Sequence, residues 1–289
     1  MTTGTAEAKR PTGWAWWWQV ISGTFHAFFD RDTSPRCAGA AFFGFLSFFP
    51  AIATIVLLYG IFADRAVLAG TVEALRFTLP EMALGFVRDQ LTALATQPPA
   101  ALGAGLLVSV PLALWSGSRG VDALLHAMSQ VRREPPRRGF IRTVLVAVGA
   151  TLFGSVFVVI ALVTVAGLPA LLRFPSGFDV LLLALRWPVL LGVTVLVFGV
   201  LYRWGPDRHP RKFRYIWPGA ALASVLWILV GTLFSIYVEN WGHYEVTFGS
   251  VSAAVVLLLW MYNSTQILVL GAAFNAELEK ADRGPPKPG

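Results

Sequence analysis

The stretch 246–276, VTFGSVSAAVVLLLWMYNSTQILVLGAAFNA, carries no charged residue. About 20 predominantly apolar residues suffice for a helix to cross a bilayer. Within lipid such a segment must be helical, because only a helix satisfies every backbone N–H and C=O internally. Near its middle stands Asn263-Ser264-Thr265-Gln266. Four consecutive polar residues point in all directions around a helix, so some must face protein or water. They either line a polar cavity or hydrogen-bond neighbouring helices together.

Working outward, five further runs resemble this one: 37–63, 100–116, 143–172, 180–202 and 215–238. Only Arg186 interrupts them, near one end of its run. The composition agrees. Apolar residues make up 56% of the 289 and charged residues only 13%, about half the usual share for a soluble domain. The expectation is an all-α polytopic membrane protein, a bundle of six transmembrane helices with additional interfacial or amphipathic helices.

The net charge of +7 would suggest nucleic acid on a soluble protein. Its distribution says otherwise. Arg65, Arg76, Arg88, Arg173 and Arg186 fall on one side of the alternating spans, and the other 18 of the 23 Lys and Arg fall on the opposite side. Cytoplasmic loops hold such an excess. The split places both termini in the cytoplasm and makes a nucleic-acid partner unnecessary. A basic face of this kind also attracts membrane lipids with anionic head groups.

The division expected is a cytoplasmic segment 1–36, a six-span domain 37–276 and a disordered cytoplasmic tail 277–289. Within the first, Trp14, Trp17, Trp18, Ile21, Phe25 and Phe28 recur at helical spacing. Their helix either lies in the membrane interface, where Trp is favoured, or packs on the protein. Two amphipathic helices are expected within 64–99, a short cytoplasmic helix at 121–131 and a turn at 205–210.

No catalytic set emerges. The single cysteine, Cys37, excludes a disulfide framework, and His26, His126, His209 and His243 are scattered. There is no phosphate-binding Gly-rich loop and no acidic pair within a span, so no enzyme activity, metal or cofactor is expected. Polar groups within spans become the functional suspects. Pro50 frees the carbonyl one turn back, either exposing it to a cavity or bending the helix for packing, and Ser47 lies beside it. Trp115, Ser118 and Arg119 close the second span, where Arg119 meets an anion or snorkels to water. Asn263, Gln266 and Asn275 follow in the last span. These eight are the candidate cavity or substrate-binding residues.

The same segments carry a resemblance. Ala40-Ala41-Phe42 through Leu46-Ser47-Phe48-Phe49-Pro50, then Leu114-Trp115-Ser116-Gly117-Ser118-Arg119-Gly120, resemble the first two spans of the YihY/BrkB family of bacterial membrane proteins. Trp217-Pro218-Gly219-Ala220, Tyr237, Phe248-Gly249-Ser250, Trp260, Gly271-Ala272 and Asn275 are similar to its last two. The chain departs from that pattern at Phe248, where Tyr is frequent, and at Ala273, where an acidic residue is. The resemblance implies a six-span inner-membrane protein of a family once labelled ribonuclease BN. No acidic metal cluster of the kind nucleases use accompanies that label here. The function expected is transporter-like: moving or binding a small or amphipathic molecule, lipid or anionic, without nucleotide hydrolysis. The alternative is a membrane scaffold or envelope assembly factor.

Overall fold

The computed structural model describes residues 13–62, 99–132, 145–146, 148–149, 179–205, 213–241 and 251–283. The expectations for 64–98, 206–210 and 242–249, and most of the third span, lie outside them. Among the described residues the chain is entirely helical. In order come α1 (Trp14–Phe28), α2 (Thr33–Phe62), α3 (Pro99–Val131), α4 (Asp179–Trp204), α5 (Trp217–Trp241) and α6 (Ser252–Arg283), with a 3-10 turn, Phe213–Tyr215, before α5.

Among the described residues, three stretches are long and apolar enough to cross a membrane: Trp187–Trp204, Trp217–Val238 and Ala254–Asp282. Only 11% to 22% of each is buried within the protein. Leu107, Val108, Leu196, Val225, Leu229 and Leu233 are all at least half exposed. Water does not tolerate so many bare aliphatic side chains on adjoining helices, whereas lipid does. The chain is a membrane protein on this ground alone.

Prolines open two of the helices. Pro99 begins α3 and Pro218 sits in the first turn of α5, where a missing N–H costs nothing. Pro50 and Pro111 lie inside α2 and α3, which continue past them. Beyond Pro50, the Thr54 hydroxyl donates to the Pro50 carbonyl at 2.7 Å and lies 3.1 Å from Ser109 Oγ of α3. This hydroxyl pair ties the two proline-containing helices.

Two boundaries differ from the sequence expectation. The helix anticipated at 121–131 is the continuation of α3, which runs unbroken through Ser116-Gly117-Ser118-Arg119-Gly120. Each glycine costs a helix about 1 kcal/mol, but packing repays it. A Cβ at Gly120 would stand 3.1 Å from the Gly44 nitrogen and 3.3 Å from the Ala40 carbonyl, so the glycine lets α2 and α3 meet backbone to backbone. Ser116 returns its hydroxyl to the Leu112 carbonyl at 2.6 Å. Likewise α6 continues past Ala276 to Arg283, with Lys280 paired to Glu277 at 3.2 Å.

The most deeply buried apolar residues gather at one end of the bundle. Cys37, Ala127, Met128, Tyr202, Ala220, Ala223, Val269, Ala272 and Ala273 are wholly buried there. The start of α2, the ends of α3, α4 and α6 and the start of α5 converge on this end. Gln130 reaches Asp32, Tyr202 reaches Leu268 and Tyr215 reaches Asp282. It therefore collects Arg31, Arg36, Arg132, Arg203, Arg214, Lys280 and Arg283, and we call it the basic end. The shared side that the charge count assigns to these residues is a shared place in the fold.

Candidate functional site

The polar run of α6 divides its labour. The Trp227 indole N–H of α5 donates to Ser264 Oγ at 3.0 Å. The Thr265 hydroxyl lies 3.1 Å from the Cys37 carbonyl of α2 and 2.9 Å from that of Tyr262 one turn back. One residue earlier, the Tyr262 and Ser34 hydroxyls meet at 2.6 Å. Ser264 and Thr265 thus bind α6 to its neighbours on two sides. Asn263 and Gln266, three residues apart and so on one face, do neither.

Instead both line a partly open cavity of about 150 Å³ with Phe28, Val230, Ile267 and Leu270. Its walls come from α1, α5 and α6. Neither amide has a hydrogen-bond partner among the described residues, and both are half-buried. Each carries two N–H donors and a carbonyl acceptor. An amide left unpaired in apolar surroundings is costly. The sequence left cavity lining and interhelical bonding open as alternatives; the structure contains both, on different faces.

Phe28 is the last residue of α1. That helix buries Val20 and Thr24 against the bundle, and Gly23 admits the Glu277 side chain of α6. Its aromatic stripe turns outward: Trp14 is 77% exposed, Trp18 62% and Phe25 52%. The helix packs on the protein by its narrow face and leaves its wide apolar face bare.

Asn275 lies elsewhere, in the buried clasp of the basic end. It is wholly buried. Its Oδ1 accepts the Gly219 N–H at 2.7 Å and its Nδ2 donates to the Ile216 carbonyl at 3.1 Å. Ile216 precedes α5, so a side chain from α6 performs the capping that a residue of α5 itself usually does. A Cβ on Gly219 would collide with the Gly271 carbonyl and Asn275 Oδ1. A Cβ on Gly271 would collide with the Tyr202 hydroxyl and stand 2.8 Å from Ala223 Cβ. Tyr202 itself donates to the Leu268 carbonyl at 2.8 Å. Asn275 clamps the start of α5 to α6. Sequence reasoning selected it for polarity at depth; its pairing with the N-terminus of α5 had no local signature.

The remaining candidates sit apart from the cavity. Ser47 returns its hydroxyl to the Gly44 carbonyl at 2.7 Å, and Ser118 to that of Trp115 at 2.9 Å. Pro50 is half-buried, with its own carbonyl taken by Thr54. Trp115 is 52% exposed and meets the Phe43 ring edge-on at 6.4 Å. Arg119 is exposed. Phe28 and Val230 line the cavity but were not sequence candidates for it, since single apolar residues carry no signal.

At the turn before α5, Tyr215 donates to Asp282 at 3.0 Å, and Arg214 pairs with the same carboxylate at 3.2 Å. The hydrogen bond to Asp282 raises the Tyr215 phenol above its ordinary value. No group of three or more metal-ligating side chains occurs among the described residues.

Residues 24–288 match the family model described as Virulence factor BrkB. The chain belongs to that family. It is 26% identical over 272 residues to a UPF0761 membrane protein of Pseudoalteromonas translucida, covering 90% of this chain and 85% of that one. A UPF0761 membrane protein of Idiomarina loihiensis is 28% identical over 65% of this chain and 64% of its own. A Bacillus subtilis protein named as ribonuclease-like, YfkH, is 32% identical over 63% of this chain and 69% of its own. No solved structure matches this BrkB-family chain.

Proposed function

We propose that this BrkB-family protein binds, and passes along the membrane, an amphipathic molecule whose polar group is held by Asn263 and Gln266. The observation that carries this reading is the pair of unpartnered amides in an open, otherwise apolar recess between α1, α5 and α6. Size narrows the ligand. A recess of about 150 Å³ equals roughly five waters at about 30 Å³ each, and whole small-molecule pockets start at about 300 Å³. It suits one polar head or a short acyl segment, with the rest of the molecule lying along the exposed apolar helices. A lipid or lipid-like amphiphile fits; a fully enclosed polar solute does not.

A scaffold without substrate would be packed solid at Asn263 and Gln266, and the recess argues against it. The name ribonuclease-like belongs to the Bacillus relative. We read this chain as no enzyme, working without a cofactor or nucleic-acid partner. The charge distribution supports six spans in a bacterial inner membrane, with both termini cytoplasmic.

Two measurements test the reading. Reporters placed near residue 240 and after residue 283 should report opposite compartments; agreement between them overturns the topology. Purified protein in proteoliposomes should exchange or bind a labelled lipid, and Asn263→Leu with Gln266→Leu should abolish that without loss of folding. Undiminished activity in the double variant overturns the site.

A further inference from the structure

Arg119 stands on a face of the bundle that the recess does not use. It is exposed and has no ion pair or hydrogen bond among the described residues. Along the same face of α3, at steps of three and four, lie Val108, Leu112 and Trp115, which are 68%, 45% and 52% exposed. On adjoining α2, Phe42, Leu46 and Phe49 repeat the pattern, and Phe43 meets Trp115 edge-on. The result is a bare apolar strip ending in one cation.

The cation's depth is the informative quantity. Gly120, its neighbour, touches the backbone of Ala40 and Gly44, not that of Arg36 at the start of α2. Four to eight residues of helix separate these levels, about 6–12 Å at 1.5 Å per residue. Arg119 therefore sits inside the level set by Arg36, on a lipid-facing surface. A charged side chain held there is costly unless it finds an opposite charge. The protein supplies none among the described residues. The acid nearest to it along α3, Asp122, is engaged by His126 at 3.3 Å, and the other charges of the basic end, of both signs, lie beyond it.

We propose that Arg119 and Trp115 form a second binding site, for the phosphate of an anionic phospholipid whose acyl chain lies along Trp115, Leu112 and Val108. The guanidinium matches a phosphate with two parallel N–H donors. The indole at Trp115 occupies the glycerol level, where Trp is at home. This site is independent of the recess at Asn263.

The test uses the full-length protein in detergent, titrated with phosphatidylglycerol or with phosphatidylcholine of the same chains, bound lipid being counted by native mass spectrometry. The wild type should hold one phosphatidylglycerol about tenfold more tightly than phosphatidylcholine. Arg119→Gln should remove that preference, a loss of the size expected for a hydrogen-bonded charge pair. Arg119→Lys, which keeps the charge but not the two parallel donors, should keep only part of it, and Arg36→Gln should leave it unchanged. Trp115→Ala should weaken both lipids. Arg119 is exposed, so its variants retain the fold, checked by an unchanged elution profile and melting temperature. Equal binding of the two lipids by the wild type, or equal losses in Arg119→Gln and Arg36→Gln, overturns the site. Inorganic phosphate that competes as well as the lipid would also overturn it, since the apolar strip would then contribute nothing.

Discussion

Replacing Asn275 tests the clamp between α5 and α6. In Asn275→Ala the Gly219 N–H loses the acceptor at 2.7 Å. It lies in the first turn of α5, where no intrahelical carbonyl can take it. Leaving a buried donor unpaired costs about 1–3 kcal/mol. The Ile216 carbonyl loses Asn275 Nδ2 but keeps the Ala220 N–H at 3.1 Å, so that loss is about 1 kcal/mol. Together they amount to about 2–4 kcal/mol, well above the ~0.6 kcal/mol average of hydrogen bonds between membrane helices. The excess arises because a helix-start N–H finds no substitute partner in a lipid-embedded reference state. At about 2 °C per kcal/mol for a chain of this size, Tm in detergent should fall by about 4–8 °C. Asn275→Leu removes the same two bonds without leaving a void, so it should fall nearly as far. If Asn275→Leu melts within about 1 °C of the wild type, the cap is not what holds α5 in place.

Further expectations follow from the same contacts. Gly219→Ala and Gly271→Ala should each destabilise more than Asn275→Ala, because the colliding atoms include backbone; expression and Tm report this. Trp227→Phe removes the bond to Ser264 and should cost about 1 kcal/mol, while Asn263→Leu should leave Tm unchanged or raise it, since no protein bond is lost. Trp14, Trp17 and Trp18 changed together to Ser should leave Tm nearly unaltered but lower the quenching of tryptophan fluorescence by brominated lipid; unchanged quenching would show that the stripe does not meet the bilayer. For Tyr215, the raised phenol means that its bond to Asp282 is present below the ordinary value of 10.0 and is lost as pH rises through the elevated one. Any Tm difference between Tyr215→Phe and the wild type should therefore shrink at high pH.

The helices were legible in the sequence because lipid imposes one rule over long windows: uncharged runs must be helices, and basic residues stay on one side. The aromatic helix at the N-terminus followed from period alone. What period cannot say is which face meets what. For α1, the side with Val20 and Gly23 packs while the aromatic stripe does not, because small residues allow close approach to α6. The continuity of α3 through Gly117 and Gly120 was hidden because local propensity speaks against it, and only contact with Ala40 and Gly44 repays the cost. The polar run 263–266 was visible as a suspect. Its division into two tethers and two free amides depends on where Trp227 and Cys37 fall, which are tertiary facts.

The approach of Gly219 to Gly271 carries one more implication. Where helices meet through side chains, rotamer changes can let them slide; where backbone rests on backbone there is nothing soft to yield. Here α5 and α6 share a rigid pivot, fastened by Asn275, and two walls of the recess are thereby fixed relative to each other. Phe28 of α1 is the third wall, and α1 packs on the bundle through Val20, Gly23, Thr24 and Ala27. A change in the width of the recess would have to come from α1, whose outward face carries Trp14, Trp17, Trp18, Ile21 and Phe25 beside Gln19 and His26.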